Sequence, residues 1–301
     1  MTFSAHDKGR HDVSAPSFVP STGGVRAAVH DLGGPDDPTA PVLVFSHATG
    51  FHGLVWSPLA SYLTDRFRCL AVDLRGHGLS ETPDGASVAW SGMGDDVAAV
   101  LASDLVGPGR AVHGIGHSLG GAALVLAAAR RPGAFRSLWL YEPVIVGPGS
   151  LLGAGGPNPL ADGASRRRAS FASVDEALAN FSSKPPLDAL DPAALAAYVI
   201  GGFVPRADGT VTLRCTPATE AAVFRGAADS GAWDALPGLD LPVAIVAGRD
   251  DGLGPVAFTV PIVERLRHGT LVERRHLGHF GPLEDLVGTA RDIASWVGVN
   301  A

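Results

Sequence analysis

The chain has 301 residues, 46% of them hydrophobic, so it can bury a large core without disulfides or structural metal. Its two cysteines, Cys69 and Cys215, cannot build a disulfide scaffold or a thiolate zinc site between them. With 23 Lys and Arg against 30 Asp and Glu the formal net charge is −7, which excludes a general electrostatic affinity for nucleic acid or anionic lipid.

Residues 1–23 are polar and aperiodic and read as a flexible N-terminal tail without the apolar core of a secretory signal. The longest near-continuous apolar run, residues 119–129, falls well short of the ~20 residues a membrane-spanning helix needs. A cytoplasmic protein with a small-molecule substrate and no membrane or nucleic-acid partner is expected; the sequence says nothing of oligomeric state. Beyond the tail, apolar runs at 41–48, 67–74, 111–118, 137–143 and 242–248 end in polar or glycine residues, the pattern of strands buried on both faces of a parallel sheet. The more polar 270–276 suits an edge strand. Helical spacing over 56–64, 95–105, 119–130, 255–266 and 282–297 fills the gaps. This alternation predicts a doubly wound, mostly parallel α/β sheet formed by residues 24–146 and 236–301.

Between 147 and 235 the alternation breaks. A Gly/Pro-rich stretch leads into helix-like pieces at 174–182, 192–200 and 217–228, opened by Ser173, Asp191 and Thr216 as N-cap candidates. A helical cap inserted over the carboxyl end of the sheet is expected. Phe171, Phe181, Tyr198, Phe203, Phe224 and Trp233 are candidates to line its cavity, and the sparse charge of the segment favours an uncharged, medium-sized substrate. Arg166–Arg168 reads as a solvated helix face.

Gly116-His117-Ser118-Leu119-Gly120 carries the strongest chemical signal. It fits G-x-S-x-G and lies between an apolar strand and an apolar helix. A nucleophile on so sharp a turn needs glycine on both sides, and the following helix N-terminus offers free N–H groups where negative charge develops. A serine hydroxyl needs a base and a group to orient that base. Asp251 and His279 each follow a predicted strand, so the order Ser118, Asp251, His279 would converge at one sheet edge. Glu142, at the end of the strand after the nucleophile helix, is a second carboxylate that could approach His279. No metal-ligand spacing appears among His47, His52, His77, His113 and His117, and no G-x-G-x-x-G opens a helix after the first strand; neither metal nor other cofactor is expected.

From Val25 onward the chain resembles the α/β-hydrolase superfamily, on GHSLG, on DLRGHGLS (73–80), on GRDD (248–251) and on GHFGPLED (278–285). The resemblance implies Asp251 as the acid, with Asp250 a turn residue, although some members draw their acid from the position of Glu142. It implies an oxyanion hole formed by the backbone N–H groups of Thr49 and Leu119. The oxyanion loop departs from the usual His-Gly start, reading Ser46-His47-Ala48-Thr49-Gly50-Phe51, and His47 is expected to brace it through a ring hydrogen bond. The implied activity is hydrolysis of a carboxylic ester or lactone through an acyl-enzyme. Carbon–carbon bond hydrolysis, thioester cleavage and perhydrolysis use the same three residues, and a ligand-binding receptor with weak hydrolysis is the alternative of a different class.

Overall fold

The computed structural model describes residues 15–148, 158–250 and 255–300. Eight strands form one sheet. In chain order they are β1 (Ser17–Pro20), β2 (Arg26–Gly33), β3 (Val42–Ser46), β4 (Arg68–Val72), β5 (Val112–His117) and β6 (Ser137–Tyr141), joined much later by two more. Those two follow the three short strands β7 (Ser170–Phe171), β8 (Phe203–Pro205) and β9 (Val211–Leu213), and are β10 (Val243–Ala247) and β11 (Gly269–Glu273). The order across the large sheet is β1-β2-β4-β3-β5-β6-β10-β11. From β4 to β11 every pairing is parallel, while β2 pairs antiparallel with both β1 and β4.

Alternation along the central strands divides the core. Val42 and Val44 of β3, with Leu70 and Val72 of β4, point to one face; Leu43, Phe45, Cys69 and Ala71 point to the other. The helices are α1 (Ser57–Ala60), α2 (Trp90–Leu101), α3 (Leu119–Arg130), α4 (Pro159–Ser165), α5 (Val174–Ser182), α6 (Pro192–Gly202), α7 (Pro217–Arg225), α8 (Ala232–Ala235), α9 (Thr259–Arg265), α10 (Gly281–Glu284) and α11 (Leu286–Val299). Helices α2 and α3 pack on the first face, and α1 and α11 cover the second. None of the helices among the described residues is long and apolar enough to cross a membrane.

Four departures from the sequence reading have physical causes. Residues 17–20, inside the segment read as a tail, form β1 and pair with β2 from Ser17↔Val29 to Pro20↔Arg26; residues 1–14 lie outside the described residues. The helix expected over 56–64 is one turn, α1. Ser57, Ser61 and Thr64 turn their hydroxyls onto the carbonyls of Leu54, Pro58 and Ser61, in competition with helical pairing. Helix α2 begins at Trp90 rather than near Asp95, because Gly92 and Gly94 hide its first turn from a propensity reading. A Cβ at either would collide with the guanidinium of Arg75 or Arg130. The inserted segment, expected to be mostly helical, also holds a three-stranded antiparallel sheet in the order β7-β9-β8. Its β8–β9 hairpin turns at Asp208-Gly209, where Gly209 has φ +86° and Asp208 Oδ1 accepts from Thr210 N.

A buried ion pair ties the β1–β2 turn to the loop after β4 and to α2. Arg75 donates to Asp96 through Nε (3.0 Å) and Nη2 (2.7 Å), and Asp96 Oδ1 also accepts from Ser21 Oγ at 2.6 Å. Arg75 is 4% exposed and Asp96 not at all. Removing one partner strands a buried charge. Asp96→Ala should therefore lower unfolding free energy by about 3–5 kcal/mol, read from chemical denaturation; a loss below ~1 kcal/mol would show that the pair is not the clamp described here.

Candidate active site

Ser118 sits on the turn from β5 into α3 with φ 54° and ψ −119°, a conformation that non-glycine residues seldom adopt. Its neighbours make this turn possible. A Cβ on Gly116 would lie 2.7 Å from Leu124 Cδ1 and 2.8 Å from Gly121 Cα, and one on Gly120 would run into the backbone of Ser46. Both glycines are therefore required by the close approach of strand, turn and helix. The turn is anchored by Ser118 N donating to Tyr141 O at 3.0 Å, and Ser118 remains 7% exposed.

His279 lies between β11 and α10. Its Nδ1 donates to Oε2 of Glu142 at 2.6 Å, and Glu142 is buried. The other oxygen, Oε1, accepts from Gly248 N at 2.8 Å, so both carboxylate oxygens have donors. Glu142 follows β6 directly with φ 39°, while its backbone N is held by Val246 O of β10 at 2.9 Å. The imidazole is placed from the serine side too. His117, the residue before Ser118, donates from Nε2 to His279 O at 2.8 Å, with ring centroids 4.8 Å apart. Tyr141 Oη donates to Gly278 O at 2.7 Å and fixes the same turn. His279 Nε2 and Ser118 Oγ make no hydrogen bond to one another among the described residues.

Among the described residues, Glu142 is the carboxylate beside His279, where Asp251 was the first expectation. Asp251 lies outside the described residues, and Asp250 is exposed. The ambiguity has a topological origin. Strands β6 and β10 are parallel neighbours with Tyr141 opposite Val246, so their carboxyl ends lie side by side. The segments that follow them meet there, Gly248 N donating to Glu142 Oε1.

The loop after β3 is braced by His47, which is completely buried. Its Nε2 accepts from Leu74 N at 3.1 Å, so Nδ1 carries the proton and donates to Ala48 O at 2.8 Å. Among the described residues, the backbone N–H groups of Thr49 and Leu119 have no protein acceptor. Beyond the loop, Phe51 stacks on Phe280 at 5.3 Å and lies 4.7 Å from Tyr198 of α6. His52 Nε2 donates to Tyr198 O at 3.1 Å, a second link between the sheet domain and the insertion.

Sequence reasoning missed several polar residues of the insertion. Arg167 is part-buried, not a solvated member of a basic run. Its Nη1 donates to Glu220 Oε2 at 2.8 Å and its Nη2 to the Tyr198 hydroxyl. A Cβ on Gly50 would sit 2.5 Å from Glu220 Oε1, which places this pair directly over the loop after β3. The aromatic residues mostly pack on one another: Phe171, Phe181 and Phe203 form one cluster with Tyr198, Phe224 packs beside α4, and Trp233 lies under Arg265.

Fold and site together define an α/β protein of hydrolase type, with a serine on the turn from β5 into α3 and a carboxylate-held histidine nearby. The alpha/beta hydrolase family profile matches residues 43–291, and the chain belongs to that family. A 100-residue stretch is 38% identical to 2-(acetamidomethylene)succinate hydrolase of Mesorhizobium japonicum, covering 33% of this chain and 34% of that protein. A stretch of the same length is 38% identical to pimeloyl-[acyl-carrier protein] methyl ester esterase of Methylococcus capsulatus, covering 33% and 36%. The matched stretches thus span about a third of these relatives. Among solved structures, E-2-(acetamidomethylene)succinate hydrolase superposes with TM-score 0.73 at 24% identity, covering 94% of this chain and 98% of the other. A thermophilic esterase from Thermogutta terrifontis does so with TM-score 0.69 at 20% identity, covering 95% and 98%. At these identities the superpositions speak for the fold.

Buried histidines around the site make its stability pH-dependent. Burial pushes His47 down to about 3 and His113 down to about 4, and lowers His52, His77 and, strongly, His117. Unfolded, each returns to an ordinary value near ~6.5. Below that pH the unfolded chain binds more protons than the folded one, so stability is full above it and declines as pH falls toward the folded values. Urea midpoints should drop steadily from pH 7 to pH 4.5, with more than one proton taken up on unfolding. A flat profile across that interval would contradict neutral burial of these rings.

Proposed function

We propose that the chain hydrolyses a carboxylic ester or lactone through an acyl-enzyme on Ser118, with His279 as base and Glu142 as the residue that orients it. The observation that carries this reading is the 2.6 Å contact from His279 Nδ1 to buried Glu142, on a histidine whose backbone is tied to His117 beside the serine. Ser118 Oγ attacks the substrate carbonyl carbon as its proton passes to His279 Nε2. The amides of Thr49 and Leu119 receive the oxyanion of the tetrahedral intermediate. As that intermediate collapses, the carbon–oxygen bond to the alcohol breaks and Nε2 returns the proton to the leaving alkoxide. Water then attacks the acyl-serine, gives a proton to Nε2, and the acid leaves as Ser118 regains its hydrogen.

Glu142 has a defined task in this cycle. It fixes the tautomer with the proton on Nδ1, leaving Nε2 free to accept, and it stabilises the imidazolium that forms. The esterase and hydrolase names among the relatives support hydrolysis; ester or lactone chemistry for this chain is our reading. The insertion acts in it as the lid over the reacting atoms.

Nitrophenyl acetate or butyrate turnover tests the roles. Ser118→Ala should abolish turnover and labelling by a fluorophosphonate. Glu142→Gln should keep the fold but reduce kcat by about 10⁴-fold, the scale of a lost orienting carboxylate. Asp251→Asn should stay within about tenfold of the parent enzyme. If Asp251→Asn is the inactive variant and Glu142→Gln the mild one, the acid is assigned to the wrong residue.

A further inference from the structure

Arg214 is left over by this mechanism. It follows β9 in the insertion, where its backbone N donates to Gly202 O at 2.9 Å and its Nε to Gly201 O at 3.1 Å. The stem is therefore held at two points beside the end of α6. The two Nη groups, by contrast, have no hydrogen-bond or carboxylate partner among the described residues. The other arginines turned into the fold are engaged: Arg75 on Asp96, and Arg167 on Glu220 and Tyr198. The buried carboxylate that acts on Arg214 at longer range, Asp73, is already taken by His30 Nε2, Gly53 N and Leu79 N. Partial burial draws the guanidinium pKa below its usual value, as expected for a cation that has lost part of its hydration without gaining an anion.

The surroundings give the free fork a use. A cleft of about 310 Å³ lies on Arg214, walled by Gly76, Gly78, Thr82, Val88 and Thr219. Arg214 and Gly78 also line a narrow crevice that continues past Gly50 and Phe51. Phe51 stacks on Phe280, next to His279, and Gly50 follows Thr49. Arg214 thus stands where the open cleft narrows toward the proposed oxyanion loop.

We propose that Arg214 recognises a carboxylate carried by the substrate, so that the bond hydrolysed belongs to an anionic molecule such as the monoester of a dicarboxylic acid. Two parallel N–H donors on a planar fork match a planar carboxylate. Among the described residues lining the cleft, Arg214 is the single cation, while Asp84 lies at its exposed rim. One positive charge balances a monoanion; a phosphate dianion would keep an unbalanced charge. This turns away from the uncharged substrate that the sparse charge of the insertion suggested. It rests on the ester-hydrolase reading of Ser118 and His279.

Two chromogenic esters with the same leaving group test it: p-nitrophenyl hydrogen glutarate, which carries a free carboxylate, and its neutral methyl ester. In Arg214→Gln, kcat/KM for the anionic ester should fall about 10–100-fold further than for the neutral one, the usual weight of a charged hydrogen bond. The difference should lie mainly in KM, and Arg214→Lys should recover part of it. Equal losses on both esters, or none, overturn the proposal. Calorimetric titration of monomethyl glutarate into Ser118→Ala, with and without Arg214→Gln, judges the site independently of turnover. Binding that disappears with Arg214→Gln supports the site; binding that is unaffected, or absent from both proteins, overturns it. Should Ser118→Ala hydrolyse esters like the parent, the acyl-enzyme reading falls while the titration still decides for or against Arg214.

Discussion

The site depends on one buried carboxylate. Moving an ionised group out of water costs several kcal/mol unless donors replace the lost hydration. Glu142 receives those donors from two directions: Gly248 N beyond the end of β10 and His279 Nδ1 in the turn after β11. Neither donor works without the strand order, because β6, β10 and β11 are consecutive neighbours and only their carboxyl ends bring these groups together. The positive φ of Glu142 turns the chain so that its side chain lies between them. Space is tight: a Cβ on Gly248 would lie 2.6 Å from the Tyr141 hydroxyl and 2.7 Å from Glu142 Oε1. Fold and proposed chemistry are thus coupled through a single side chain, and the histidine is aimed by the sheet rather than by a flexible loop.

The insertion handles charge in a different way. Arg167, Glu220 and Tyr198 satisfy one another above Gly50, so this group joins α6 and α7 to the loop after β3 without leaving a net charge over the reaction. Arg214 lies on the same side of the molecule, its Nη atoms without a partner among the described residues. A neutralised pair beside the loop proposed to hold the oxyanion, and farther out a cation whose Nη atoms lack a partner among the described residues, fit the proposed chemistry. A bare cation against the loop would hold any passing anion, whereas one at the cleft narrows selection to a molecule long enough to span both points.

Much of the sheet and of the tight turn at Ser118 was legible in the sequence, for a reason visible at Gly116 and Gly120. Steric exclusion leaves so few choices there that the residue pattern records the geometry. The central strands β3 and β6 were equally legible, because burial on both faces writes a near-continuous apolar run. The carboxylate beside His279 was harder to read, since one carboxylate at the end of β6 and another after β10 both follow strands whose carboxyl ends lie side by side, and nothing local in the sequence separates them. Strand β2 escaped notice because its burial is uneven along its length and its pairing antiparallel. The small sheet of the insertion escaped because strands of two or three residues carry no period to detect. Burial of Arg167 was invisible for a similar reason: a partner 53 residues away, Glu220, leaves no local trace.

The loop after β3 shows how a departure from a family pattern can be compensated. Ala48 stands where glycine is usual, and its side chain is buried, so the loop cannot rely on glycine's freedom to place its peptide groups. Instead the carbonyl of Ala48 is held by two donors, His47 Nδ1 at 2.8 Å and Phe51 N at 3.1 Å. That carbonyl shares a planar trans peptide with the N–H of Thr49, and in such a group the two bonds point in opposite directions. Holding the oxygen on one side therefore aims the Thr49 amide to the other, where no acceptor among the described residues meets it. His47 can do this only as a neutral ring, because its Nε2 must accept from Leu74 N while its Nδ1 donates. Complete burial, which pushes its pKa down to about 3, guarantees that state. The alignment of the amide proposed to meet the oxyanion is in this way set by the protonation state of a histidine that touches no substrate.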